Sequence, residues 1–170
     1  MYNELLKLKN NNKLCAIYKN AEKPDNFIVG YVVAVDKDFY AFKAVDSNGN
    51  SDGLYCLQVC EVIKIETDSK YLKKMQKLHQ ELPCFDVDFG NDVLKAVINF
   101  VTDSHQLCYV GLFDQHVSCG YVTAQQDDKL YMDLVDDEYG DDDGKCVVYT
   151  SDVAFVEVSS VELKTLAKLR

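Results

Sequence analysis

The sequence predicts a mainly β protein with short flanking helices, laid out as a tandem pair of small five-stranded barrels. Three observations carry that reading. The stretch Gly30 to Glu66 occurs again as Gly120 to Glu157, 90 positions downstream and then 91 after one residue is inserted in the loop before Asp143-Gly144. Within each copy, apolar residues alternate with period two, the spacing at which successive strand side chains point to opposite faces. Both copies also keep a glycine in mid-strand, Gly30 and Gly120. Glycine weakens a strand interior, so its place in both copies predicts a sharp bend or a close backbone approach, and small barrels need such bends to close.

The repeat divides the 170 residues into a first unit at 1–82, a linker at 83–90 and a second unit at 91–170. A composition of 48% hydrophobic and 27% charged residues is ordinary for a globular chain. No apolar run approaches the roughly 20 residues of a membrane span. The start lacks a charged-then-apolar signal segment, so the expected location is the cytoplasm. Seven cysteines, at 15, 56, 60, 84, 108, 119 and 146, include no CxxC pair; reduced, unlinked thiols are expected, with Cys15 and Cys108 at matching buried places before the two barrels.

Taken in order, Tyr2 to Lys9 reads as a short helix stopped by Asn10-Asn11-Asn12, residues that tolerate the left-handed conformation. The first strand is expected at Lys13 to Tyr18 and Gln106 to Phe113, followed by a loop that holds Pro24 in the first copy. Strand two is expected at Phe27 to Val35 and Val117 to Gln125. In strand three, Tyr40, Phe42 and Ala44 correspond to Leu130, Met132 and Leu134 and should face the core, whereas Ala41 and Lys43, matched by Tyr131 and Asp133, should face out. In strand four the inward set is Tyr55, Leu57 and Val59, matched by Cys146, Val148 and Thr150, with Leu54 and Gln58 outward. A fifth strand follows almost directly at Val62 to Glu66 and Val153 to Glu157, then a short helix with one apolar edge: Leu72, Met75 and Leu78, or Leu163, Leu166 and Leu169. Ser159 with Glu162 has capping-box spacing. Asn91 or Asp92 can cap a helix with the stripe Val93, Leu94, Val97, Ile98 and Val101. In the linker, Phe85, Val87 and Phe89 alternate as if packed against a barrel.

A helix, five short bent strands, glycine in the middle of the second and an acidic turn before the third resemble the Sm-like, SH3-like small barrel of the Sm and Hfq proteins. The matching positions are Gly30 with Asp36 and Gly120 with Asp127, each followed by an apolar third strand. The pattern resembles a bacterial family of duplicated Sm-like proteins more than the RNA chaperones of that fold. In the Sm family the turn before strand three usually carries an asparagine that holds a base, and the turn after strand four an arginine-glycine pair. Here those turns read Asp36-Lys37-Asp38 with Cys60-Glu61, and Gln126-Asp127-Asp128 with Ser151-Asp152, so neither copy keeps that RNA pocket.

Charge points the same way. Residues 1–85 carry twelve lysines against eleven carboxylates, near +1, and residues 86–170 carry six basic residues against seventeen carboxylates, −11, which together give the total of −10. Phosphate binding needs clustered Lys and Arg, so the second half is a poor nucleic-acid surface. The acidic group Asp136, Asp137, Glu138, Asp141, Asp142 and Asp143 invites a hard cation, and Asn48 to Gly53 mimics the opening of a calcium loop, but its twelfth position is Val59 rather than glutamate. Solvated hairpin turns are expected, without a metal. His79, His105 and His116 are scattered and propose no nucleophile–base pair. The sequence therefore assigns no catalytic, cofactor-binding or metal residue, and no cofactor. The helix with Lys70, Lys73, Lys74 and Lys77 is the one cationic patch, an ordinary amphipathic surface or a dock for an acidic one, such as the second repeat of a neighbouring copy. The expected function is a non-enzymatic interaction or assembly module with a protein partner or self-association. The alternative is RNA binding through the less acidic first repeat, using Lys37, Lys43, Tyr31, Phe39 and Tyr55.

Overall fold

A computed structural model describes residues 1–19, 26–78 and 82–170; the loop holding Pro24, and His79, lie outside the described residues. The chain forms α1 (Tyr2–Asn10), β1 (Cys15–Tyr18), β2 (Phe27–Val35), β3 (Phe39–Val45), β4 (Ser51–Gln58), β5 (Lys64–Glu66), α2 (Lys70–Leu78), α3 (Val93–Asp103), β6 (Cys108–Leu112), β7 (Val117–Gln126), β8 (Lys129–Val135), β9 (Asp142–Tyr149), β10 (Val153–Val158) and α4 (Val161–Leu166). One-turn 3-10 segments at Val59–Glu61 and Thr150–Asp152 carry the chain from β4 to β5 and from β9 to β10. α3 starts on Asp92, whose side chain accepts from the Lys95 amide at 2.9 Å, and α1 ends before Asn12 in the left-handed region. α4 is capped by Ser160 rather than Ser159, which takes a positive φ at the bend before it.

The two barrels expected from the repeat are replaced by one open antiparallel sheet of ten strands, in the order β5-β1-β2-β3-β4-β10-β6-β7-β8-β9. Within each half the end strands do not pair with each other, so neither half closes. β4 pairs instead with β10 of the other half, Cys56 opposite Val156 and Leu54 opposite Val158. The pairing registers of the two halves correspond position by position. Cys15 lies opposite Gly30 as Cys108 lies opposite Gly120, and the β2–β3 ladder shifts register between Val32 and Ala34 as β7–β8 does between Val122 and Ala124.

That single sheet corrects the expected facing of two strands. Tyr40, Phe42, Ala44 and Leu57 are buried as read, in a core closed by Leu5 and Leu8 of α1, while Tyr55 is half-buried. However, Ala41, Leu54 and Gln58, read as outward, are also buried, because α3 lies over β3 and β4 as well as over β7. Ala41, Leu54 and Cys56 share one core cluster with Val97, Ile98 and Val101 of α3 and with Leu130 and Met132. Phe85, Val87 and Phe89 pack against that cluster, as their alternation predicts. No helix among the described residues is long and apolar enough to cross a membrane.

Candidate interaction surface

Among the described residues the ten-stranded sheet ends in two unpaired edges, β9 and β5, and they differ from their interior counterparts. β4 has both faces covered and its edge bonded to β10. In β9, the structural counterpart of β4, Val147 and Tyr149 are each about half exposed. Thr150 donates its amide to the Asp128 carbonyl at 2.7 Å. By strand alternation Val148 and Cys146 also turn toward β8, which leaves the amide and carbonyl groups of Val147 and Tyr149 directed at the open side. Unpaired backbone groups flanked by exposed apolar side chains are a template for another strand. At the opposite end, the Tyr18 carbonyl accepts from the Ile63 amide at 2.9 Å, so Tyr18 and Ala16 turn toward β5 and Ile65, opposite Ile17, turns its backbone outward.

The junction already made inside the chain shows how such an edge is filled. Around the β4–β10 ladder, the Asp36 carboxylate accepts from the Val93 amide at 2.7 Å at the start of α3. The Asp52 carboxylate accepts from the Val161 amide at 3.0 Å at the start of α4. Backbone of Val158, Ser159 and Ser160 sits directly against Gly53. Tyr55 donates to Glu157, and burial pushes the Glu157 carboxyl above its ordinary range, with Asp52 and Glu162 adding to the rise against the bonds from Ser160 and Tyr55.

The residues singled out for other chemistry are mostly held by structural contacts. Asp36, where the Sm pattern places asparagine, accepts from the amides of Asp38 and Phe39 as well as Val93. Lys43 lies over the Phe85 ring at 5.8 Å, Phe39 packs against the shared core, and Tyr31 packs beside Val29 and Leu72. Lys37 is exposed beside Asp38 at 3.6 Å. The turns Asp36 to Asp38, with Cys60, and Thr150-Ser151 do come together across the junction, in an open groove of about 860 Å³ that also takes in Asp92 and Phe113. Sequence reasoning missed this meeting of turns from different halves, because each turn is local and the pairing that joins them is not.

In the first hairpin loop, Asp46 oxygens are taken by the amides of Asn48 and Asn50 and by the Asn50 side chain. Burial alone would raise the Asp46 carboxyl, but these bonds outweigh it and hold it below the usual range. In the second loop Asp136 accepts from the amides of Glu138 and Tyr139, and Asp142 pairs with Arg170 at 2.6 Å, while Asp137, Asp141 and Asp143 are exposed. Among the described residues no group of three or more His, Cys, Asp or Glu is arranged to hold a metal ion. His105 stacks on Tyr121 at 4.7 Å and His116 lies 2.9 Å from the Asp114 carboxylate, so each has its own partner. All seven cysteines are free; burial pushes the Cys15 and Cys108 thiols up to about 12, which suits inert core residues. A comparison of the chain with protein-family models, curated proteins and solved structures finds no match.

Proposed function

We propose that this chain is a non-enzymatic interaction or assembly module built from two Sm-like five-stranded units, which binds a protein partner by adding a strand to the β9 edge. The observation that carries the reading is the half-exposed, unblunted stretch Val147 to Tyr149, whose counterpart in the first half is wholly covered by a strand and a helix. Edge strands are usually guarded by charge, proline or a covering element. β9 has Lys145 and two aspartates at its start but none of these at its end. Main-chain bonding supplies affinity in this mode, and side chains on alternate positions supply selectivity.

The test is a single substitution at an outward amide. Val147→Pro removes a donor that the β8–β9 ladder does not use, so it leaves the fold in place and blocks strand addition. Wild-type chain immobilised in native lysate should retain a partner that the proline variant loses; equal retention by both would overturn the edge reading. The RNA alternative predicts a different result. A net charge of −10 gives a repulsive long-range field, and binding of labelled poly-A or poly-U in about 150 mM salt should be no tighter than roughly 10 micromolar. Submicromolar, salt-sensitive binding lost on replacing Lys37 and Lys43 would favour RNA instead.

A further inference from the structure

We infer that the open groove between the two halves binds a basic side chain presented on a peptide, an arginine or lysine whose cation meets the groove's carboxylates while a neighbouring peptide carbonyl meets the Gln58 amide. This site is separate from the β9 edge, since Val147 to Tyr149 do not line it. Its volume of about 860 Å³ lies within the roughly 300–1,000 Å³ that small-ligand sites occupy. Its walls come from the β2–β3 turn, the end of β4, the start of α3 and the turn after β9. These meet only because β4 pairs with β10, so the site is a product of the internal junction.

The observation that points to a ligand is Gln58. This last residue of β4 lines the groove and is only 5% exposed. Its side-chain oxygen accepts from the Cys60 thiol, a weak donor, at 3.5 Å, and its amino group has no acceptor among the described residues. Buried polar side chains are normally bonded, and leaving a donor unmet costs about 1–3 kcal/mol. An acceptor brought by a ligand completes the set. Thr150, on the wall that the other half contributes, has a hydroxyl buried without a partner. Its counterpart in the first half is Val59, so the fold accepts this position without a hydroxyl.

Charge selects a cation. Asp36, Asp38 and Asp92 line the groove, and Lys37 is the one basic lining residue among those described. The start of α3 does not reverse that sign, because the Val93 and Lys95 amides are already given to Asp36 and Asp92 at 2.7 and 2.9 Å. A phosphate chain therefore meets carboxylates rather than a free helix end. Lys37 lies 3.6 Å from Asp38 and both are exposed, a pair too weak to keep a better-placed cation out. The same charges act inward: after burial, Asp36 and Asp92 are the causes that push the Cys56 thiol up. At the rim, Phe113 is 59% and Tyr2 40% exposed. Such rings suit the methylene stem and the cation of arginine or lysine.

Two-dimensional NMR of the full chain titrated with acetyl-Gly-Arg-Gly-amide tests this. Saturable shifts should appear at the Gln58 side-chain amide and at the Asp38 and Thr150 backbone amides, with a Kd of about 1 mM or tighter at low salt. The same peptide with citrulline for arginine keeps the shape without the charge and should bind at least about tenfold more weakly. Gln58→Met keeps the side-chain length and removes the unmet donor, so it should hold or raise Tm while weakening binding about fivefold or more. Asp38→Asn combined with Asp92→Asn removes two charges, keeps a residue that caps α3, and should weaken binding by about tenfold. This second variant decides the matter if Gln58→Met does not fold. Val147→Pro should bind the peptide as wild type does, so this inference and the β9 reading fail separately. No saturable shift up to about 10 mM peptide, equal binding of the citrulline peptide, or wild-type affinity in the groove variants would overturn the inference.

Discussion

Replacement of Gly30 by alanine tests the strand register at its tightest point. Neither Gly30 nor Gly120 has a positive φ, so a left-handed backbone does not explain them. A Cβ on Gly30 would overlap the Lys43 carbonyl oxygen and lie 2.8 Å from Cε1 of Phe42, and one on Gly120 would overlap the Asp133 carbonyl oxygen and lie 3.1 Å from its carbon. Lys43 and Asp133 sit on the adjacent strand, one residue before the direct partners Ala44 and Leu134. Because the obstacle is backbone, relief requires β2 to move away from β3. Overpacking of this kind costs about 1–3 kcal/mol, and each ladder hydrogen bond lost adds about 1. A loss of about 2–4 kcal/mol corresponds to a fall in Tm of roughly 5–15 °C for a chain of this size. Gly90→Ala separates backbone strain from overlap: its Cβ meets nothing within 4 Å but its φ of 48° is left-handed, so it should cost about 1–2 kcal/mol from the backbone alone. Calorimetry or thermal circular dichroism decides it. If Gly30→Ala and Gly120→Ala both melt within about 2 °C of wild type, the close approach is wrong and so is the register.

Two further substitutions probe the cores. The Tyr40 hydroxyl is buried without a hydrogen-bond partner among the described residues, while its ring packs edge-on to Phe42; Tyr40→Phe should therefore be neutral or stabilising by up to about 1 kcal/mol, and a loss greater than that in denaturant unfolding would reveal a bond to the hydroxyl. The Glu157 carboxyl is raised above its ordinary range, chiefly by burial. Its folded state keeps the proton longer than the unfolded chain, so this group's contribution falls as pH rises from the ordinary glutamate range through the raised value. Glu157→Gln should melt above wild type at about pH 8, with the gap narrowing toward about pH 5; a gap that does not change with pH would refute the assignment.

Local features were legible in the sequence to within a residue or two at most strands, because period two and the turn residues are written in consecutive positions. Phe27–Val35 stands as read, and Cys15 and Cys108 occupy matching buried places against the carbonyls of Gly30 and Gly120. Closure was not legible. Whether β4 bonds to its own half or to β10 depends on where α3 and α4 come to rest, and no local pattern reports that. A trace existed in the comparison of the copies: Ala41 and Leu54 stand where the second copy has Tyr131 and Lys145. Apolar residues at nominally outward positions in one copy only are the mark of a face that the other copy covers.

The same comparison locates the surface that still lacks cover. A chain with two units can make one internal junction, so one β4-type edge is filled and one remains. Solubility favours polar residues on the remaining edge, and Lys145 of β9 follows that rule as the counterpart of the buried Leu54. Val147 and Tyr149 do not. They replace Cys56 and Gln58, which are buried, yet they are as large and as apolar or more so while half exposed. The outward backbone groups belong to these same two residues, so apolar surface and unpaired main chain coincide over one short stretch. An edge that only needed to stay soluble would carry charge there, as β9 does at Asp142, Asp143 and Lys145. On the strand addition proposed above, the acidic start and apolar end of β9 give the edge a polarity along its length, which would favour one orientation of an added strand over the other.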